Sequence, residues 1–94
     1  VERITRGVAN YYDLDADQLA GRSRKRLVVS ARHVAMYFCH QLTEKSLQSI
    51  GLAFGGRDHS TVSYALKKVN DRLDVEDAFK SELKSARRAI DAAA

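Results

Sequence analysis

Phe54-Gly55-Gly56-Arg57-Asp58-His59-Ser60-Thr61-Val62, running on into Ser63-Tyr64-Ala65-Leu66-Lys67-Lys68-Val69, spells a tight turn and then a helix. Paired glycines make a turn that side chains obstruct, and Asp58 can accept hydrogen bonds from the first free N–H groups of the helix behind it. Val62, Ala65, Leu66, Val69 and Leu73 recur on one helical face. Arg57, His59, Ser60 and Thr61 gather hydrogen-bonding side chains at the helix start. An apolar back with a polar, cationic front end suits a helix that reads the major groove; the plainer reading is a capped surface helix.

Working upstream, Ser46 caps a short helix carrying Leu47, Ile50, Ala53 and Phe54. A short helix, a glycine-bearing turn and a second helix with a polar start make a helix-turn-helix. The turn ends in Gly55-Gly56-Arg57, which sets an arginine beside a helix N-terminus, where backbone N–H groups favour a phosphate.

The flanking sequence reads as further helices. One runs from Glu2 to Tyr12 with Ile4, Val8, Tyr11 and Tyr12 inward, and Gly7 inside it costs helicity that packing must offset. Asp15 caps a short turn of helix over Ala16–Ala20, which Gly21 ends. Arg22 to Val29 then forms a basic loop. Ser30 caps a third helix through Leu42, with Val34, Ala35, Phe38, Cys39 and Leu42 on its apolar face. The recognition helix is expected over Asp58–Leu73, and Asp74 caps a last helix with Phe79, Leu83, Ala86 and Ile90 at helical spacing. There is no strand-like alternation, repeat or low-complexity tract. The fold class is all-α, a single domain of about six helices over residues 1–94.

Composition narrows the function classes. With hydrophobic residues at 45% and one cysteine, Cys39, the chain relies on a packed core and cannot form an internal disulfide. No apolar run approaches the roughly 18 residues of a membrane span. The net charge is only +4, but Arg22, Arg24, Lys25, Arg26 and Arg32 lie together with no acidic residue among them. Segregated charge is the footprint of a polyanion binder, although a basic run can also be a solvated loop. The run holds no aromatic residue and no amphipathic pattern, which argues against a membrane surface. The chain starts with Val1 and is helical almost at once, so it reads as a fragment of a longer protein.

These residues resemble the C-terminal DNA-binding domain of the DnaA family of bacterial replication initiators. Ile50-Gly51, Ala53-Phe54 and Gly-Gly-Arg-Asp-His-Ser-Thr-Val carry the likeness, supported by Val8-Ala9, Tyr11-Tyr12, Leu19, Arg32, Ala35-Met36 and Leu42-Thr43. It covers roughly residues 1 to 70; the last helix matches mainly in type. The resemblance implies a Trp-repressor-like helical domain that binds double-stranded DNA at an A/T-rich box of TTATNCACA type at the replication origin, in a bacterial, nucleoid-associated, cytoplasmic setting. Position by position, Arg57, Asp58, His59, Ser60 and Thr61 match the start of the recognition helix, and Arg24 matches the minor-groove arginine. Arg32 and His33 match box-contacting positions, and Lys68 a phosphate contact. Ser30-Ala31 stands where the family often has Arg-Pro, His33 where it often has Gln, and Tyr64 where smaller or more polar residues are common.

The residue chemistry agrees with most of these roles. Ser60 and Thr61 suit thymine methyls and base edges, and His59 can donate or accept. Asp58 can accept from a base amine or serve only as the helix cap. Arg24 suits a narrow A/T minor groove, and Arg22, Lys25, Arg26 and Lys67 suit phosphates. No Gly-rich Lys-Ser/Thr loop is present, so ATP would be held by a separate N-terminal module, and no cofactor is expected here. No nucleophile is partnered by a base, and Cys39 with His33, His40 and His59 makes a poor metal set. The rival class is a helical interaction module whose basic face docks an acidic partner, and regulatory proteins of that kind are possible partners. An asymmetric DNA site requires no dimer, so the isolated domain is read as a monomer.

Overall fold

The computed structural model describes residues 1–93. It contains six helices in the order α1 (Glu2–Tyr11), α2 (Ala16–Ala20), α3 (Arg26–Leu42), α4 (Leu47–Ala53), α5 (His59–Val75) and α6 (Asp77–Ala92). No strand occurs among the described residues. α3 is the central element and packs against α1, α2, α4 and α5, while α6 closes the other side of α1 and touches α5. Val28, Ala31, Val34, Ala35, Met36, Phe38 and Cys39 bury one continuous face of α3.

Three of the expected caps are in place. Ser46 Oγ accepts from the Ser49 N–H at 3.1 Å, and the Asp58 carboxylate accepts from the Ser60 N–H at 3.3 Å. Asp15 is the N-cap of α2, and its own N–H donates to Gln18 Oε1 at 2.9 Å.

Two boundaries differ from the sequence reading. α3 starts at Arg26, four residues ahead of Ser30, so Arg26 to Val29 are helix rather than loop and Ser30 caps nothing. The reason is burial: Val28, Ala31, Arg32 and Ala35 fall on one face, and burying Val28 outweighs the attraction of a serine cap. α5 likewise runs through Asp74 to Val75. The Arg72–Glu76 ion pair and the Glu76 N–H donating to the Arg72 carbonyl at 2.9 Å carry the helix past Asp74.

Some faces also turned. Tyr11, Leu42 and Ala53 are exposed although their spacing put them inward, whereas Gly7 and Ala9 are buried. Gly7 pays its helicity cost at the α1–α6 crossing, where a Cβ would press on the Ile90 backbone nitrogen at 2.8 Å. Arg3 then satisfies the end of α6, donating to the Ile90 and Asp91 carbonyls at 3.2 and 2.9 Å. Tyr12 Oη donates to Glu82 at 2.5 Å, a second tie from the first helix to the last.

Candidate nucleic-acid interface

The turn between α4 and α5 has the form the glycines dictate. Gly55 and Gly56 both adopt left-handed conformations, φ 78° and 72°, which turn the chain within two residues. The Arg57 N–H donates to the Gly51 carbonyl at 2.8 Å and locks the turn to α4. α5 therefore leaves with Val62, Ala65 and Val69 in the core and Asp58, His59, Ser60 and Thr61 all exposed.

Asp58 caps the helix while remaining in solvent. The Ser60 N–H, above all, holds its carboxyl below the usual carboxylate range; desolvation opposes it, and the neighbouring His59 adds to the lowering. His59 Nδ1 lies 2.9 Å from Asp58 Oδ1, a contact that becomes an ion pair when the imidazole is protonated. The next turns of the same face expose Tyr64, Lys67 and Lys68. Lys67 pairs with Asp71 at 2.9 Å, an open surface pair that a phosphate can displace at little cost. Lys68 Nζ lies over the Tyr64 ring, 5.9 Å from its centre, and His33 of α3 meets the same ring edge-on at 6.0 Å.

Between the start of α3 and this face of α5 runs a cleft of about 420 Å³. Arg24, Arg26, His33, Tyr64 and Lys68 line it, above the buried side chains of Val34, Val69 and Phe79. Burial, then the charges of Arg32 and Lys68, hold the His33 pKa below the ordinary imidazole value, which favours the neutral ring. Arg22, Arg24, Lys25 and Arg26 are exposed, and among the described residues none of the four is in an ion pair. α3 begins with no side-chain cap and no acidic residue in its first turn, so its free N–H groups add to this positive corner.

Two arginines expected at the outer face point inward instead. Arg32 is 6% exposed and donates to the carbonyls of Leu19, Gln18, Gly21 and Ser23 at 2.6, 3.2, 3.3 and 3.1 Å. Arg57 is half-buried and donates to the Phe54 carbonyl, to Ala20 at 3.3 Å and to Gly21 at 2.5 Å. Both give their guanidinium hydrogens to backbone, where burial leaves carbonyls in want of donors. Burial lowers the pKa of each, and Arg57 lowers that of Arg32 further.

The structure thus brings Arg24, Arg26, His33 and Lys68 to one cleft, sets Asp58 to Thr61 at the free end of α5, and withdraws Arg32 and Arg57. Sequence reasoning missed Arg72, which lines the same cleft and sits 3.8 Å over the Phe79 ring. Its spacing of four residues from Lys68 was the signal. Among the described residues no group of three or more His, Cys, Asp and Glu is gathered as for a metal ion, and no helix is long and apolar enough to cross a membrane.

Comparison with known proteins follows the same residues. The sequence model described as "Bacterial dnaA protein helix-turn-helix" matches residues 1–69. The chromosomal replication initiator protein DnaA of Corynebacterium jeikeium is 47% identical over 72 residues, covering 77% of this chain and 12% of that protein. The DnaA of Magnetococcus marinus is 45% identical over 85 residues, 90% of this chain and 19% of its own length. The DnaA of Ruegeria pomeroyi is 39% identical over 92 residues, 98% of this chain and 20% of its own. The chain therefore spans a fifth or less of the length of these relatives.

Proposed function

The chain belongs to the bacterial DnaA helix-turn-helix family, and from that premise we propose that it is a sequence-specific reader of double-stranded DNA at the A/T-rich boxes where chromosome replication starts. The observation that carries this reading is the exposed end of α5 lying beside an acid-free basic loop, with a cationic cleft between them.

In this reading the start of α5 enters the major groove. Ser60 and Thr61 present hydroxyl and methyl groups to base edges, and His59 donates or accepts. Asp58 is already engaged as the cap, and its carboxylate can also accept from a base amine. Arg24 reaches the neighbouring minor groove, whose narrow A/T form concentrates negative potential. The sugar–phosphate strand between the two grooves crosses the cleft, where Lys68, Arg26 and the open N-terminus of α3 take phosphates. Arg22, Lys25 and Lys67 extend the same positive track. His33, in the neutral form that its burial favours, offers a base or sugar a ring nitrogen as acceptor. Arg32 and Arg57 act from inside.

The test is a fluorescence-anisotropy titration of the domain with a labelled TTATCCACA duplex and a scrambled one, at several salt concentrations. Tight, box-preferring binding is expected, and about six phosphate contacts give a log–log salt slope near −5. Equal, weak binding to both duplexes would replace this reading with a basic surface that docks an acidic protein partner.

A further inference from the structure

Arg32 and Arg57 come from different elements and grip one stretch of backbone. Arg32 takes the carbonyls of Gln18, Leu19, Gly21 and Ser23, and Arg57 takes those of Ala20 and Gly21. Every carbonyl from Gln18 to Gly21 is therefore held by a guanidinium, and both side chains converge on Gly21. α2 has five residues, too few to be stable alone, and of its last carbonyls Gln18 accepts the Gly21 N–H at 3.3 Å while Leu19 and Ala20 have no helical partner. Two like charges at one place repel, so the arrangement persists because each is embedded in carbonyl dipoles at a helix C-terminus. The turn also lies directly against this segment, since a Cβ on Gly55 would strike the Ala20 carbonyl oxygen.

The position of this grip in the chain gives it meaning. Ser23, the last carbonyl held, directly precedes Arg24, and Arg57 stands two residues before the first residue of α5. We propose that Arg32 and Arg57 form a positioning clamp that fixes the Arg24 loop relative to the start of α5, so that the two parts of the interface engage DNA as one rigid unit. The inference rests on the DNA-binding reading above. It assigns neither arginine a contact with DNA, and it requires arginine: lysine supplies the charge but not the planar fork that reaches several carbonyls at once.

The test uses Arg57→Lys and Arg57→Ala, with a two-glycine insertion between Ser23 and Arg24 as a variant that leaves the clamp intact and slackens the tether. In the free protein, amide exchange is expected to quicken across residues 19–25 in Arg57→Lys while α3 and α6 stay protected. On the box duplex, Arg24→Ala is expected to cost about tenfold or more in the parent, but less than about threefold in the Arg57→Lys or glycine-inserted background. Arg57→Lys should be as weak as Arg57→Ala. Full rescue by lysine, or an equal cost of Arg24→Ala in every background, would overturn the clamp. If Arg57→Lys does not fold, Arg32→Lys is read by the same exchange and coupling measurements, and unchanged exchange with an undiminished cost of Arg24→Ala in that background overturns the clamp. A parent that shows no box preference sinks the DNA reading, whereas the exchange experiment judges the tether without any DNA.

Discussion

Arg24 and His33 line the same cleft and answer to different physics. Arg24 is exposed, and under the proposed DNA reading its cost on removal is electrostatic and local to the minor groove. Arg24→Ala is expected to lose about 1–3 kcal/mol of box binding, concentrated at the A/T end, when duplexes substituted there are titrated alongside the parent box. Lys68→Ala should weaken box and scrambled duplex alike and lower the salt slope by about one. His33 is governed by burial, with Arg32 and Lys68 adding repulsion and Arg24, Arg26 and Tyr64 facing it across the cleft. Its folded pKa lies below its unfolded value, so the folded state binds fewer protons than the unfolded state. Stability is then intact above the ordinary imidazole pKa and falls as pH drops through it. Thermal melts between about pH 7.5 and pH 5.5 should show that fall, and His33→Gln should flatten it. An unchanged pH profile in His33→Gln would assign the loss to other groups.

At the scale of elements, the α4–α5 turn was the most legible part of the chain because its chemistry is local. Two adjacent glycines, a capping aspartate and helical spacing behind them constrain the backbone without reference to anything distant. The two glycines are nonetheless unequal. Gly55→Ala combines a left-handed φ of 78° with a collision on the Ala20 carbonyl, whereas Gly56→Ala meets only the φ of 72° in open space. Gly56→Ala is expected to cost about 1 kcal/mol, and Gly55→Ala distinctly more, about 3 kcal/mol or beyond, in chemical denaturation. Equal losses would place the whole effect in backbone strain. The start of α3 was misread for the opposite reason, since its extension to Arg26 depends on Val28 finding a pocket built by other helices. The inward turn of Arg32 and Arg57 was hidden by the same kind of dependence. In sequence, an arginine in a basic run looks like its neighbours, and only the carbonyls left open by a five-residue helix reveal where it goes.

Across the whole molecule, the last helix raises a question that the helix-turn-helix family model leaves open. That model ends at residue 69 and α6 begins at Asp77, although the alignment to the Ruegeria pomeroyi relative covers 98% of the chain. Its spacing suggested a helix, but its purpose was illegible until its partner was known. α6 exposes Lys80, Lys84, Arg87 and Arg88, with Arg87 paired to Asp91, and buries Phe79, Leu83, Ala86 and Ile90. Those side chains close the core over α1 and α5, Arg3 and Tyr12 bind α6 to α1, and Arg72 stacks on Phe79. Fully burying a Phe, Leu or Ile side chain is worth about 1.5–3 kcal/mol each, and a domain of this size holds a net stability of about 5–15 kcal/mol. Removing three such side chains and exposing their partners on α1 consumes most of that margin. A chain ending at Glu76 is therefore expected to lose its cooperative melt in circular dichroism, and with it box binding, although every residue proposed to touch DNA is still present. Tyr12→Phe, which deletes only the bond to Glu82, should keep the melt and lower its stability by about 1–2 kcal/mol. A truncated chain that melts cooperatively near the parent temperature would make α6 an accessory, and the helix-turn-helix would then stand on α1 to α5 alone.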